Sequence, residues 1–153
     1  MGWFDRKVDE IKAAAGAVPS PTLHPLGSAV RGAKHQVRAE RFDPYVLVGT
    51  RKPAEGKALY AALVEVVNAS AEPGVYFSMD QWMVFDASGF VFRACSDSGL
   101  QRQPALGSGH LSPGSNVRGW VTFELPVEIA PARLHFDQYT GSVDFQLPAE
   151  PAG

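Results

Sequence analysis

The stretch from Leu111 to Pro126 constrains this chain more than any other. Its Pro113-Gly114 pair makes a turn, and from Asn116 onward residues fall alternately on two faces. Val117, Gly119, Val121, Phe123 and Leu125 share one face of an extended strand, and Asn116, Arg118, Trp120, Thr122 and Glu124 share the other. A period of two is what a half-buried strand needs, and a helix cannot use it. The fold class follows from this strand and from the signals around it.

Strand signals separated by turns run through the rest of the chain. Lys34 to Phe42 alternates charged and less charged residues and predicts a first, edge-like strand, broken by Asp43-Pro44. Tyr45 to Val48 is a short apolar run. Ala58 to Val67 is apolar on both faces apart from Glu65, as expected of a central strand covered on both sides. Val75 to Phe77, Gln81 to Phe85, Phe90 to Cys95, Arg133 to Phe136 and Ser142 to Leu147 are further short strands. Asp86 to Gly89 is a hairpin turn, Thr140-Gly141 is another, and 96–113 reads as one long loop. Seven to eight short strands at this spacing predict an all-β, two-sheet antiparallel sandwich over residues 34–147.

Ahead of it, residues 1–16 predict an amphipathic helix. Phe4, Val8, Ile11 and Ala15 line one side, with charges of both signs opposite and Gly16 as a stop. The stripe of Phe4, Val8 and Ile11 would dock on the sandwich, on a second copy or on a protein partner. Three acids cancel three bases on its polar face, which disfavours a membrane surface. Residues 17–33 hold Pro19, Pro21, Pro25, Gly27 and Gly32, the chemistry of a linker. Residues 148–153 read as a disordered tail.

The formal net charge is −2, but the charge is unevenly spread. Between Arg31 and Lys57 seven basic residues meet three acidic ones, while from Ala58 onward ten acidic residues meet four basic ones. Arg31, Lys34, Arg38, Arg41, Arg51 and Lys52 could form a basic patch for nucleic acid or an acidic ligand. No recognition-helix pattern or aromatic-basic run accompanies them. The plainer reading is two solvated faces of opposite sign.

Four segments in this order resemble a family of small bacterial immunoglobulin-like sandwiches. They are Val64 to Ser70, Met79 to Gly89, Leu111 to Pro126, and the pair Leu134 to Asp137 with Val143 to Leu147. That family includes immunoprotective extracellular antigens and lipoproteins, and its members are mostly domains of unknown function. The resemblance implies an immunoglobulin-like sandwich acting as a binding or interaction module, with no catalytic residues to carry over. Family members carry a secretion signal or a lipid-acceptor cysteine. Here neither is visible and no apolar run reaches a membrane span, so the expected location is cytoplasmic.

Residues that could carry chemistry are few. The single Cys95 excludes an internal disulfide and a cysteine zinc cluster, and reads as a small buried hydrophobe. His24, His35, His110 and His135 show no metal-ligand spacing, and His135 is placed on a solvent face. Asp97, Arg102 and His110 are the weakest of the candidate constellations, since nothing orients a nucleophile or base among them. Trp120 beside Arg118 is a candidate interaction hot spot if its face is open. If that face is closed, Trp120 packs under a neighbouring loop or the helix, the reading favoured here. The sequence therefore predicts a non-enzymatic module with no cofactor and no metal. Its partner would be another protein or a second copy, contacted through Phe4, Val8, Ile11, Arg118 and Trp120; nucleic acid is the alternative partner.

Overall fold

The computed structural model describes residues 22–47, 51–138 and 141–148. These described residues form an all-β sandwich of eleven strands. In chain order these are β1 (Leu23–His24), β2 (Ala29–Arg31), β3 (His35–Tyr45), β4 (Lys57–Asn68), β5 (Val75–Ser78) and β6 (Trp82–Asp86). They continue with β7 (Val91–Arg93), β8 (Ser108–Leu111), β9 (Asn116–Pro126), β10 (Pro131–Gln138) and β11 (Gly141–Gln146). One sheet has the order β1-β11-β10-β6-β7, the facing sheet β2-β3-β4-β9, and β5 pairs with β8 in a small third sheet.

The core lies between the two larger sheets. Val37, Ala39, Phe42, Ala62, Val64, Val66, Val121, Phe123 and Leu125 come from one side; Trp82, Val84, Leu134, Phe136, Val143 and Phe145 come from the other. Trp82 is fully buried, with the Phe136 and Phe145 rings 4.8 and 6.3 Å away. The alternation read in β9 is realised on this side, where Gly119, Val121, Phe123 and Leu125 are all buried. Ala61 and Ala62, adjacent in β4, are both fully buried on opposite faces, as a strand covered on both sides requires.

Several expectations need correction. Among the described residues the strands number eleven, not seven or eight, because short ones hide in stretches that read as loop or linker. β1 and β2 lie inside the predicted 17–33 linker, yet β1 pairs in parallel with β11 and β2 pairs antiparallel with β3. The Gly27 N–H also donates to the Ala39 carbonyl at 2.7 Å. The sandwich therefore takes in residues from at least Leu23, well before position 34. β8 lies inside the predicted 96–113 loop and pairs with β5.

The strand read as an edge, β3, is interior over Gln36 to Arg38, between β2 and β4. It also continues through Pro44 to Tyr45 instead of breaking at Asp43. Pro44 is tolerated because β2 has already ended there, leaving β3 with β4 as its one neighbour. The N-terminal helix over 1–16, with Phe4, Val8 and Ile11, lies outside the described residues, as do 149–153 of the predicted tail.

Candidate functional site

The outer face of the four-stranded sheet holds two of the predicted contact residues, Arg118 and Trp120. Antiparallel register sets Leu63 beside Trp120, Ala61 beside Thr122 and Glu65 beside Arg118. Leu63, Ala61 and Trp120 form a small apolar cluster of their own, joined by Tyr45 and separate from the main core. Two adjacent alanines of β4 serve different faces: Ala62 meets the core, and Ala61 leaves room for the indole.

The chain between β7 and β8 closes over this cluster. The Cys95 N–H donates to the Thr122 carbonyl at 2.7 Å, and the Arg102 N–H to Thr122 Oγ1 at 2.9 Å. The Trp120 N–H donates to the Pro104 carbonyl, and the Leu106 N–H to the Trp120 carbonyl, both at 2.9 Å. β9 ends its sheet, so this segment fills the hydrogen-bonding edge that would otherwise lie open. Arg102 then stacks on the indole, its guanidinium carbon 3.6 Å from the ring of Trp120 and 5.6 Å from that of Tyr45. Arg41 approaches Trp120 at 6.0 Å. Trp120 is consequently only 8% exposed. Of the two readings of Trp120, the favoured one holds: it packs under a neighbouring loop, and the groups offered to solvent around it are Arg102, Tyr45 and Arg41.

Arg118 lies exposed farther along the same face. Its Nε donates to Glu40 Oε2 at 2.5 Å, and that hydrogen bond holds the guanidinium pKa above its ordinary value. Asn116 Nδ2 donates to Glu65 Oε2 beside it at 2.8 Å.

The predicted basic patch does not assemble. Arg31 donates to the Ala69 carbonyl at 2.9 Å and Lys34 pairs with Glu72 at 2.9 Å, both near the start of β3. Arg41 pairs with Asp43 at 2.7 Å, and Arg38 sits across from Glu65 on β4. Arg51 pairs with Asp97 at 2.5 Å and Lys52 lies nearby, beyond the other end of β3. A strand of 11 residues separates the two ends, on the order of 35 Å at the usual rise of about 3.3 Å per residue. Lys34 and Arg51 are matched by acids distant in sequence, and Arg41 by one two residues away.

The constellation of Asp97, Arg102 and His110 is likewise dispersed. Asp97 binds Arg51, Arg102 covers Trp120, and His110 meets the Tyr76 ring at a tilt, 5.5 Å away, in the β5–β8 sheet. Asp86 serves its turn as expected, its Oδ1 accepting from the Ser88 and Phe90 N–H groups. Cys95 is half-buried, and burial raises its thiol pKa. Among the described residues no three His, Cys, Asp or Glu side chains converge as metal ligands.

One cluster escaped the sequence. On the outer face of the other sheet, Asp144 is 4% exposed and takes hydrogen bonds from Arg133 and from His135 Nδ1, the latter at 2.8 Å. Arg133 also lies 4.0 Å above the Phe85 ring, and His135 meets that ring edge-on at 5.3 Å. Burial pushes the Asp144 carboxyl up, but His135 and Arg133 together outweigh it and hold the group below its usual range. His135 is therefore not the free solvent-facing side chain that the strand pattern suggested.

This is a two-layer β-sandwich in which a long inter-strand segment seals the sheet edge and a stacked arginine closes an aromatic platform. The chain belongs to the family described as a domain of unknown function, DUF4352, which it matches over residues 24–145. Its fold is similar to that of MPT63, a secreted protein of Mycobacterium tuberculosis, with a TM-score of 0.66 and 13% identity over 85% of this chain and 100% of that one. The YjhA protein of Bacillus subtilis is similar at a TM-score of 0.61 and 12% identity, covering 82% of this chain and 100% of that one. A putative lipoprotein of Bacillus subtilis, YcdA, reaches 0.61 and 13% over 88% of this chain but 40% of its own length. No curated protein matches the sequence. No helix among the described residues is long and apolar enough to cross a membrane.

Proposed function

We propose that this domain is a non-enzymatic interaction module that receives a protein partner on the outer face of its four-stranded sheet. The observation that carries the reading is the stack of Arg102 on Trp120, with Tyr45 and Arg41 around it. Arginine and large aromatic side chains held rigidly on a common face are the residues that dominate binding energy in protein interfaces. The buried indole fixes the guanidinium plane, so little side-chain freedom is lost when a partner lands on it. The Phe4, Val8 and Ile11 stripe is a second contact element, proposed on its sequence alone.

The test is a photo-crosslinking residue installed at Tyr45, with an equivalent residue at exposed Ser112, in a different turn, as control. A discrete adduct from position 45 in cells, absent at position 112 and lost with Arg102→Ala, is the expected result. Identical adduct patterns at both positions, or none at Tyr45, would overturn the proposal. An adduct of twice the chain's mass would identify the partner as a second copy.

A further inference from the structure

A cleft of about 540 Å³ opens where the chain crosses from β7 of one sheet to the edge of β9 in the other. Arg93, Cys95 and Ser96 line it together with Lys52, Glu124 and Asp97. Four charged side chains thus share one cleft, two of each sign, but they are not equally committed.

Both acids are hydrogen-bonded, but only Asp97 meets a cation. Glu124 Oε2 accepts the Ala54 N–H at 2.9 Å, which pins the 51–54 segment against β9. Asp97 Oδ2 binds Arg51 at 2.5 Å, and its Oδ1 accepts the Gly99 N–H at 2.9 Å. Lys52 and Arg93 have no ion-pair partner among the described residues. With Asp97 offset by Arg51, two cations, Lys52 and Arg93, remain against one carboxylate, Glu124, and the balance is positive. Cys95 adds none of its own, because burial keeps its thiol protonated. Ser96 supplies a hydroxyl that can donate. The volume lies within the range of small-molecule sites, about 300 to 1,000 Å³.

We infer that this cleft binds an oxyanion, a phosphate or carboxylate group held between Lys52 and Arg93. The cleft lies past the Trp120 platform, sharing with it the face of β9 that carries Glu124, and the inference stands without that reading. It differs from a long basic stripe of the nucleic-acid kind, since two cations around a single cleft recognise one anionic group rather than a charged backbone.

The experiment is an amide NMR titration of the full chain with inorganic phosphate and, separately, with citrate, each at constant ionic strength set by sodium chloride. The expected result is saturable shifts at Lys52 and at Arg93 to Asp97. They should weaken at least tenfold in apparent affinity in the Lys52→Met/Arg93→Met double variant and persist in Arg118→Ala. Both substituted side chains are exposed, so the double variant should keep the wild-type spectral dispersion. Saturation by phosphate alone assigns a phosphate ligand, and saturation by citrate alone a carboxylate. Shifts that do not saturate, that follow sodium chloride equally, or that survive in the folded double variant would overturn the inference.

Discussion

Gly119 and Leu106 meet backbone to backbone. A Cβ on Gly119 would lie 2.8 Å from the Leu106 Cα and 2.8 Å from its backbone nitrogen, closer than real Cβ contacts allow. The glycine stands on the core face of β9, between Val117 and Val121, and the Leu106 side chain enters the main core there. The segment that seals β9 can lie this close only because one side chain is missing. Gly119→Ala should push residues 104–106 off the strand and break their hydrogen bonds with Trp120. The expected loss is about 2–3 kcal/mol, the usual cost of forced overpacking. Urea denaturation measures it directly. A midpoint equal to wild type would mean that the segment does not lock onto β9 in this way.

Arg102 covers Trp120 without being needed for the main core. Arg102→Ala should cost about 1 kcal/mol of stability, the size of a partly desolvated cation–π contact. It should also raise the acrylamide quenching of indole fluorescence, since Trp120 loses its lid. Arg102→Lys should recover little of either effect, because an ammonium cannot stack as a planar guanidinium does. Equal quenching in all three proteins would place the arginine elsewhere.

Much of this arrangement was legible in the sequence, and the parts that were not share a cause. The β9 alternation, the doubly buried β4 and the Asp86 turn each announce themselves within a dozen residues, so local pattern finds them. β1 and β2, two and three residues long, cannot display a period, and their proline- and glycine-rich setting resembles a linker. The basic surplus between Arg31 and Lys57 is real along the chain but not in space. Glu72, Asp97 and Ala69, which engage its members, come from later segments.

The Asp144 cluster is an intermediate case. The β10–β11 register sets Gln138 opposite Gly141 and therefore His135 opposite Asp144, so strand pairing could have found them. What the pattern could not supply was Arg133 folding back over Phe85 to close the cluster from the side.

Asp144→Asn should destabilise the fold by about 3 kcal/mol near neutral pH, the usual cost of breaking a buried ion pair. The pH dependence follows from the depressed carboxyl pKa. A carboxyl whose folded pKa lies below its unfolded value stabilises the protein fully above the unfolded value, near 3.8. That contribution is lost as pH falls through the folded pKa, which lies lower still. Wild type should therefore lose stability on acidification below about pH 4 more steeply than Asp144→Asn, and the two curves should converge there. Parallel curves across that range would mean that the carboxylate charge contributes nothing.

The boundary of the folding unit is open to the same kind of test. β1 pairs with β11 at Leu23↔Asp144 and His24↔Phe145, so it closes one edge of the five-stranded sheet. His24 approaches the Phe145 ring at 6.3 Å, and Gly27 ties the β1–β2 connection to β3. A chain beginning at Ala33, where composition alone would cut, removes both strands. It uncovers β11 beside the buried Asp144 and strips β3 of its outer neighbour, leaving two unpaired edges that invite association. A chain beginning at Thr22 keeps all of these contacts. The Ala33 chain should unfold at least several degrees below the Thr22 chain, and light scattering should show it self-associating where the Thr22 chain does not. Equal melting temperatures and equal masses would return β1 and β2 to the status of a linker and restore the boundary that the prolines and glycines suggested.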